Sequence, residues 1–192
     1  AQRVHYSEKS KCYVLHGVTG PNEFENNVNN NWYTNYVVRW CLRYTIGIWR
    51  WAQEAHPAAF QELAVRMRFY EYTETNHWQK IIDQLFLPGD GAQGIFPQQD
   101  GFLDKTLEPA SRLSPEEQPL RQHWSWDRIL RAAYVQRADV LQGLFLFSEH
   151  FDRELLRRNY EFYEPLTVHE SSLSPAVHAI LAARLGKLDE AY

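Results

Sequence analysis

A chain of 192 residues that is 44% hydrophobic and 15% aromatic is long enough and apolar enough to bury a core, which excludes an intrinsically disordered segment. With 20 Lys and Arg against 24 Asp and Glu, the net charge is −4 and no basic block occurs, which argues against nucleic acid or a membrane surface as partner. Cys12 and Cys41 have no metal-type spacing, no apolar run approaches the roughly 18 residues needed to span a bilayer, and no signal-peptide pattern opens the chain; the expectation is a soluble, cytoplasmic protein.

In chain order, a short extended piece is expected at 12–15, followed by the Asn-rich stretch HGVTGPNEFENNVNNNWYTN from His16 to Asn35. From Trp32 to Ala55, Tyr33, Val37, Trp40, Tyr44, Ile48 and Trp51 recur at the three-to-four spacing of one buried helix stripe. The preceding asparagines suit the free N–H groups of its first turn, and His56-Pro57 ends it. Further helices are expected over 58–74 and 76–86, then a long loop from Leu87 to Gln122 rich in Gly, Pro, Gln and Asp, a length that in compact domains tends to carry function. Helical spacing resumes over 127–134, 138–147, 151–163 and 175–185, and again from Lys187. About eight helices and no alternating-strand series predict an all-α fold of helical hairpins.

Two stretches carry candidate chemistry. Glu23 follows the turn Gly20-Pro21-Asn22, and burial among Phe24, Trp32 and Tyr33 would disfavour its charged form and suit a general acid; the alternative is a plain turn-and-cap carboxylate. Glu25, two residues on, fits the plain role better. In YEPLTVHESSLSPAVH, Ser174-Pro175 reads as a helix start, which places Ser171, Ser172 and nearby N–H groups at a positive dipole end with His169 and His178 as further donors. An oxyanion such as phosphate fits this set, and a Ser-rich cap is the alternative. The sequence spacing offers no third ligand for zinc beside these histidines, and no G-x-S-x-G elbow for a Ser-His-Asp hydrolase. In HWSWDRILR, Trp124 and Trp126 either pack a loop on a helix or stack on a sugar ring.

HGVTGPNEFENNVNNNWYTN, QDGFLDK, RQHWSWDRILR and YEFYEPLTVHESSLSP, in this order, resemble the inverting α-glucoside phosphorylases of glycoside hydrolase family 65 over nearly the whole chain. The resemblance implies the later part of an (α/α)6-barrel catalytic domain across 1–192, with the family's β-sandwich, early barrel helices and small β-domain absent from this chain. It implies phosphorolysis of maltose to β-glucose 1-phosphate and glucose, with inorganic phosphate as co-substrate, no cofactor and no metal. The alternatives are phosphorolysis or hydrolysis of kojibiose, nigerose or trehalose, or an inactive fragment; a homodimer is carried over from the family. Glu23 takes the position of the general acid, Ser171, Ser172 and His178 that of the phosphate site, and Asp104 and Lys105 that of the loop shaping the acceptor subsite. Where the family has Lys-Gln before Ala-Asp, this chain has Gln136-Arg137, the positions expected to hold the glucosyl unit. On a helix, the cation moved by one place would point elsewhere.

Overall fold

The computed structural model describes residues 1–89 and 94–192 and divides into two units, Ala1–Leu15 with Asn35–Phe86, and His16–Thr34 with Leu87–Tyr192. The part of the Leu87–Gln122 loop at 90–93 lies outside the described residues.

In the first unit, strands β1 (His5–Ser7) and β2 (Cys12–Val14) form an antiparallel hairpin in which Tyr6 faces Tyr13, their rings edge to face at 5.2 Å. Helix α1 spans Trp32–Ala55, its first turn belonging to the second unit, and is followed by α2 (Pro57–Met67) and α3 (Glu71–Gln84). The helix expected over 58–74 is therefore two. Arg68 turns left-handed at φ 52° and donates its N–H to the Ala64 and Val65 carbonyls, which stops α2. The reversal seats Phe69 3.9 Å from the Trp49 ring and 5.6 Å from Trp78, a tertiary gain that outweighs helix continuity. Asn35 is fully buried and ties α1 to the end of α3 by donating to the Phe86 carbonyl at 2.7 Å.

The apolar stripe of α1 departs from expectation. Trp40, Tyr44, Ile48 and Trp51 are 38 to 57% exposed, with Trp40 and Tyr44 stacked on each other, while Ile46 is the buried residue between 40 and 51. Periodicity reports that a face is apolar; it does not say which segment covers it.

In the second unit, α6 (Asp139–Leu146), α7 (Arg153–Tyr163) and α8 (Ser174–Leu185) pack on one another, with α9 (Leu188–Ala191) on α8. Val140, Leu141, Leu144, Tyr160, Tyr163 and Leu181 are all buried at this core. Gly143 is required there, because a Cβ would lie 2.5 Å from Trp32 Cζ3; the bare backbone lets the Trp32 indole reach Phe96, on which it stacks at 4.8 Å. Asp152 caps α7 by accepting the Leu155 N–H at 2.7 Å, and Gly186 ends α8 in the left-handed region. The long loop is ordered in its described part by single 3-10 turns at Phe102–Asp104, Ala110–Arg112 and Pro115–Glu117, before short helices α4 (Leu120–His123) and α5 (Trp126–Arg131). Phe24, Leu120, Ile129 and Tyr134 form a second buried cluster. No helix among the described residues is long and apolar enough to cross a membrane.

Candidate active site

The stretch carrying Glu23 is an excursion closed at its base by two backbone bonds of 2.9 Å between Val18 and Val28. Asn27 and Asn30 take left-handed φ angles of 55° and 50°, which Asn tolerates better than most side chains. Asn31 caps α1 by accepting the Thr34 N–H and hydroxyl, both at 2.9 Å, so the expected capping role of the asparagines holds at this residue. Its amide group faces the other way and donates to the Asp139 carboxylate at 2.6 Å and to the Gln98 carbonyl at 3.2 Å.

The neighbours of Glu23 are gripped by the segment 136–139. The Gln136 N–H donates to Asn22 Oδ1 at 2.9 Å, Arg137 Nε donates to the Pro21 carbonyl at 2.7 Å, and the Asp139 carboxylate accepts the Asn22 N–H. Gln136 and Arg137 do not lie on a helix, because α6 starts only at Asp139 and Val135 is held by bridge bonds to Leu166 and Val168. The cation expected to point away from the site is thus attached to the turn that bears Glu23.

Glu23 itself corrects an expectation. It is not buried among Phe24, Trp32 and Tyr33: its side chain is 58% exposed, and Oε2 accepts from Arg121 Nη2 at 2.6 Å. The turn sends Phe24 and Glu25 inward instead, both buried. Glu25 accepts from Gln99 and from Lys105, and Lys105 places its remaining donors on the Leu130 and Ala132 carbonyls at 2.9 and 3.1 Å. An ammonium has three N–H donors. All three are engaged within the protein, so Lys105 serves the scaffold where a substrate contact was expected, while Asp104 beside it is exposed. Trp124 likewise has Arg128 over its ring at 3.5 Å and its indole N–H on Glu117, which leaves Trp126, 42% exposed, as the open aromatic of that pair.

Around Ser171–His178 the structure assembles a Glu-His-His group. Glu164 accepts from His178 Nδ1 and lies 3.4 Å from His169 Nε2, while His169 Nδ1 meets the Ser174 hydroxyl at 2.9 Å. Burial acts to raise the Glu164 carboxyl, but the hydrogen bonds and charge of His169 and His178 outweigh it and hold it down at about 2. Ser174 is the first residue of α8 and pairs with His169 instead of capping the helix; Ser171 accepts the Leu173 N–H at 3.4 Å, and Ser172 is exposed. His178 is buried, and its Nε2 has no hydrogen-bond partner among the described residues. His169 and Glu164 line a hollow of about 430 Å³ shared with Tyr160 and Lys187. The fold also supplies the third metal-type ligand that sequence spacing did not, since Glu164, His169 and His178 place one donor atom each within 4.8 Å of one another. Within this group Glu164 is hydrogen-bonded to His178 and lies close to His169.

The two groups are physically linked. Glu170, next to His169, accepts the Leu120 N–H at the start of α4, and Arg121 on that helix reaches Glu23. The residue that sequence patterning does not single out is Asp139, buried at 1% exposure at the head of a mostly apolar helix. Burial first, and then the charge of Glu25, push its carboxyl up to about 7 against the hydrogen bonds from Asn31 and Asn22 and the charge of Arg137.

The fold is predominantly helical and presents a carboxylate side chain on a braced turn and, in the same unit, a Glu-His-His group with Ser174. The whole chain, residues 1–192, matches the family model described as the glycosyl hydrolase family 65 central catalytic domain, and the chain belongs to that family. It is 49% identical over 188 residues to a maltose phosphorylase of Bacillus subtilis, covering 96% of this chain and 23% of that protein. It is 36% identical over 192 residues to a kojibiose phosphorylase of Halothermothrix orenii, covering 100% of this chain and 24% of the relative. A solved structure of a candidate kojibiose phosphorylase from the human microbiome superposes with a TM-score of 0.89 at 33% identity, over 98% of this chain and 26% of that one. The chain thus spans about a quarter of the length of these relatives, and the expected class, all-α and a portion of an (α/α)6 barrel, holds.

Proposed function

We propose that this chain forms part of the active site of an inverting α-glucoside phosphorylase acting on maltose. Glu23, as a carboxylic acid, gives its proton to the glycosidic oxygen while inorganic phosphate attacks the anomeric carbon from the opposite face. The C–O bond to the leaving glucose breaks as the C–O bond to phosphate forms, giving β-glucose 1-phosphate. Phosphate is already a nucleophile, so the second carboxylate that an inverting hydrolase uses to activate water is not needed. Ser171, Ser172 and His178 hold the phosphate, with Glu164 orienting His178. The Arg121–Glu23 pair is solvent-exposed and therefore worth only about 0–1 kcal/mol, a small cost for turning Glu23 toward a substrate oxygen. A cytoplasmic setting, in keeping with the free Cys12 and Cys41, and a homodimer belong to the same proposal.

The observation that carries the reading is the 49% identity to the Bacillus subtilis maltose phosphorylase along 96% of the chain. In the complete protein, maltose with phosphate should yield glucose and β-glucose 1-phosphate in equal amounts, and Glu23→Gln should abolish this without unfolding the protein. Cleavage of maltose at an equal rate without phosphate would overturn it. A second reading keeps the reaction and changes the linkage, supported by 36% identity to the kojibiose phosphorylase and to an α,α-trehalose phosphorylase of Thermoanaerobacter brockii. Assaying maltose, kojibiose, nigerose and trehalose side by side separates the two.

A further inference from the structure

We propose that Asp139 is the positioning residue of the turn that presents Glu23, an inference that rests on the phosphorylase reading for its kinetic consequence. Its carboxylate is buried and accepts from two sources at once, the Asn22 main-chain N–H and the Asn31 side-chain amide. Those two donors bracket Glu23: one immediately precedes it, the other caps α1. The turn also wraps closely on the carboxylate, since a Cβ on Gly20 would overlap Asp139 Oδ2 and stand 2.7 Å from Asn31 Nδ2. Asp139 is itself held at its main-chain N–H by Gln98 Oε1 at 3.1 Å, and Gln98 supplies the carbonyl that accepts the Trp32 N–H at 2.9 Å. Gln136 and Arg137 add their bonds to Asn22 and Pro21 from the same segment. Pro21 and Asn22 therefore have their carbonyl, amide and side chain fixed by residues more than a hundred positions away, while Glu23, the next residue, has a largely exposed side chain held only by Arg121 among the described residues.

In its ionised form a carboxylate suits this place because both partners are donors, so each oxygen has an N–H to accept. A neutral amide at position 139 would turn one N–H group against a donor and release either Asn22 or Asn31. Displacement of a catalytic group by about 1 Å costs on the order of 100-fold in rate, and Asp139 is buried with its oxygens on Asn22 and Asn31, so its loss should act on turnover and not on ground-state binding.

The test compares the complete protein with Asp139→Asn and with the exchanged pair Asp139→Asn/Asn31→Asp. In the exchanged pair the amide introduced at position 139 still accepts from Asn22 and donates to the new carboxylate at position 31. Asp139→Asn should lower kcat roughly 100-fold with both KM values within about threefold, and raise hydrogen exchange at Asn22 to Phe24 about tenfold while α6 stays protected; the exchanged pair should recover at least a tenfold part of kcat. Wild-type kcat and exchange in Asp139→Asn would overturn the proposal, as would failure of both variants to fold, which would assign Asp139 to folding alone. If the single variant does not fold, recovery in the exchanged pair supports the proposal, and a folded exchanged pair with turn exchange like a released loop overturns it. Should the wild-type protein phosphorolyse no α-glucobiose, the functional reading fails by itself, and the exchange measurement still decides the positioning role.

Discussion

The Asp139 carboxylate accepts the main-chain N–H of Asn22, a residue 117 positions earlier in the chain and adjacent to Glu23. Because burial pushes this carboxyl up to about 7 from an ordinary value of 3.8, the native state holds a proton that the unfolded chain has released between those two pH values. Stability must then fall as pH rises from about 4 to about 7, by at most about 4 kcal/mol for a shift of roughly three units. The groups facing Asp139 are Glu25, which adds to the shift, Arg137, which opposes it, and the phenols of Tyr33 and Tyr163, whose own pKa values are raised first by burial and then by its charge. Unfolding free energies of wild type minus Asp139→Asn, measured by urea titration from pH 4 to 8, should slope downward up to about pH 7 and level off above it. A flat difference across that window would contradict the assignment.

Gly20→Ala should be among the most damaging small changes in the chain. Its methyl group would need the space that Asp139 Oδ2 occupies, and this neighbour is a short, buried side chain with no room to retreat. Overpacking of this kind costs about 1–3 kcal/mol. Loss of stability in that range together with at least a tenfold fall in kcat is the expected result, read by urea unfolding and initial rates; an unfolding midpoint equal to wild type would show that the turn yields easily.

Lys105 and Glu25 form an ion pair whose side chains are only 16% and 5% exposed. Lys105→Met leaves the Glu25 carboxylate buried without its cation and should destabilise the protein by about 3–5 kcal/mol, whereas Lys105→Met with Glu25→Gln should recover much of that loss. Sugar KM values in the folded double variant should stay within a few-fold of wild type, since Lys105 already spends its donors on Glu25, Leu130 and Ala132. A large KM effect for the acceptor sugar would restore the substrate contact read from the sequence.

What was legible in the sequence depended on how local its cause was. Helix α1 could be read because its spacing and its cap at Asn31 lie within a few residues of each other, and α8 because Pro175 and Gly186 mark its two ends. The break at Arg68 could not, because its cause is the packing of Phe69 on Trp49 and Trp78. The turn before Glu23 could be read from Gly20-Pro21-Asn22, but the environment of its side chain could not, since whether Glu23 or Glu25 faces inward is settled by Lys105 and Arg121, some 80 and 98 positions away. Asp139 left one signal that could have been used: a carboxylate heading the apolar run DVLQGLFL, where an acid either suits the helix dipole or is held for another purpose.

Glu164 provides the last test, because on the proposed reading it acts on phosphate through its hydrogen bond to His178. Its carboxyl, held at about 2 by the two histidines, stays ionised throughout the neutral range and fixes Nδ1 of His178, which leaves Nε2 as the nitrogen available to an anion. Replacing the carboxylate by an amide in Glu164→Gln keeps the shape but exchanges a charge-assisted hydrogen bond for a neutral one. A bond to a charged group contributes about 1.5–3 kcal/mol against about 1 for a neutral one, so the phosphate KM should rise roughly tenfold. The maltose KM should change less than twofold, because the bonds that brace the Glu23 turn run through 136–139 and α4 and do not involve Glu164. Initial rates over a matrix of phosphate and maltose concentrations separate the two constants, and an equal rise in both would mean that Glu164 supports the fold of the site as a whole and not the phosphate end of it.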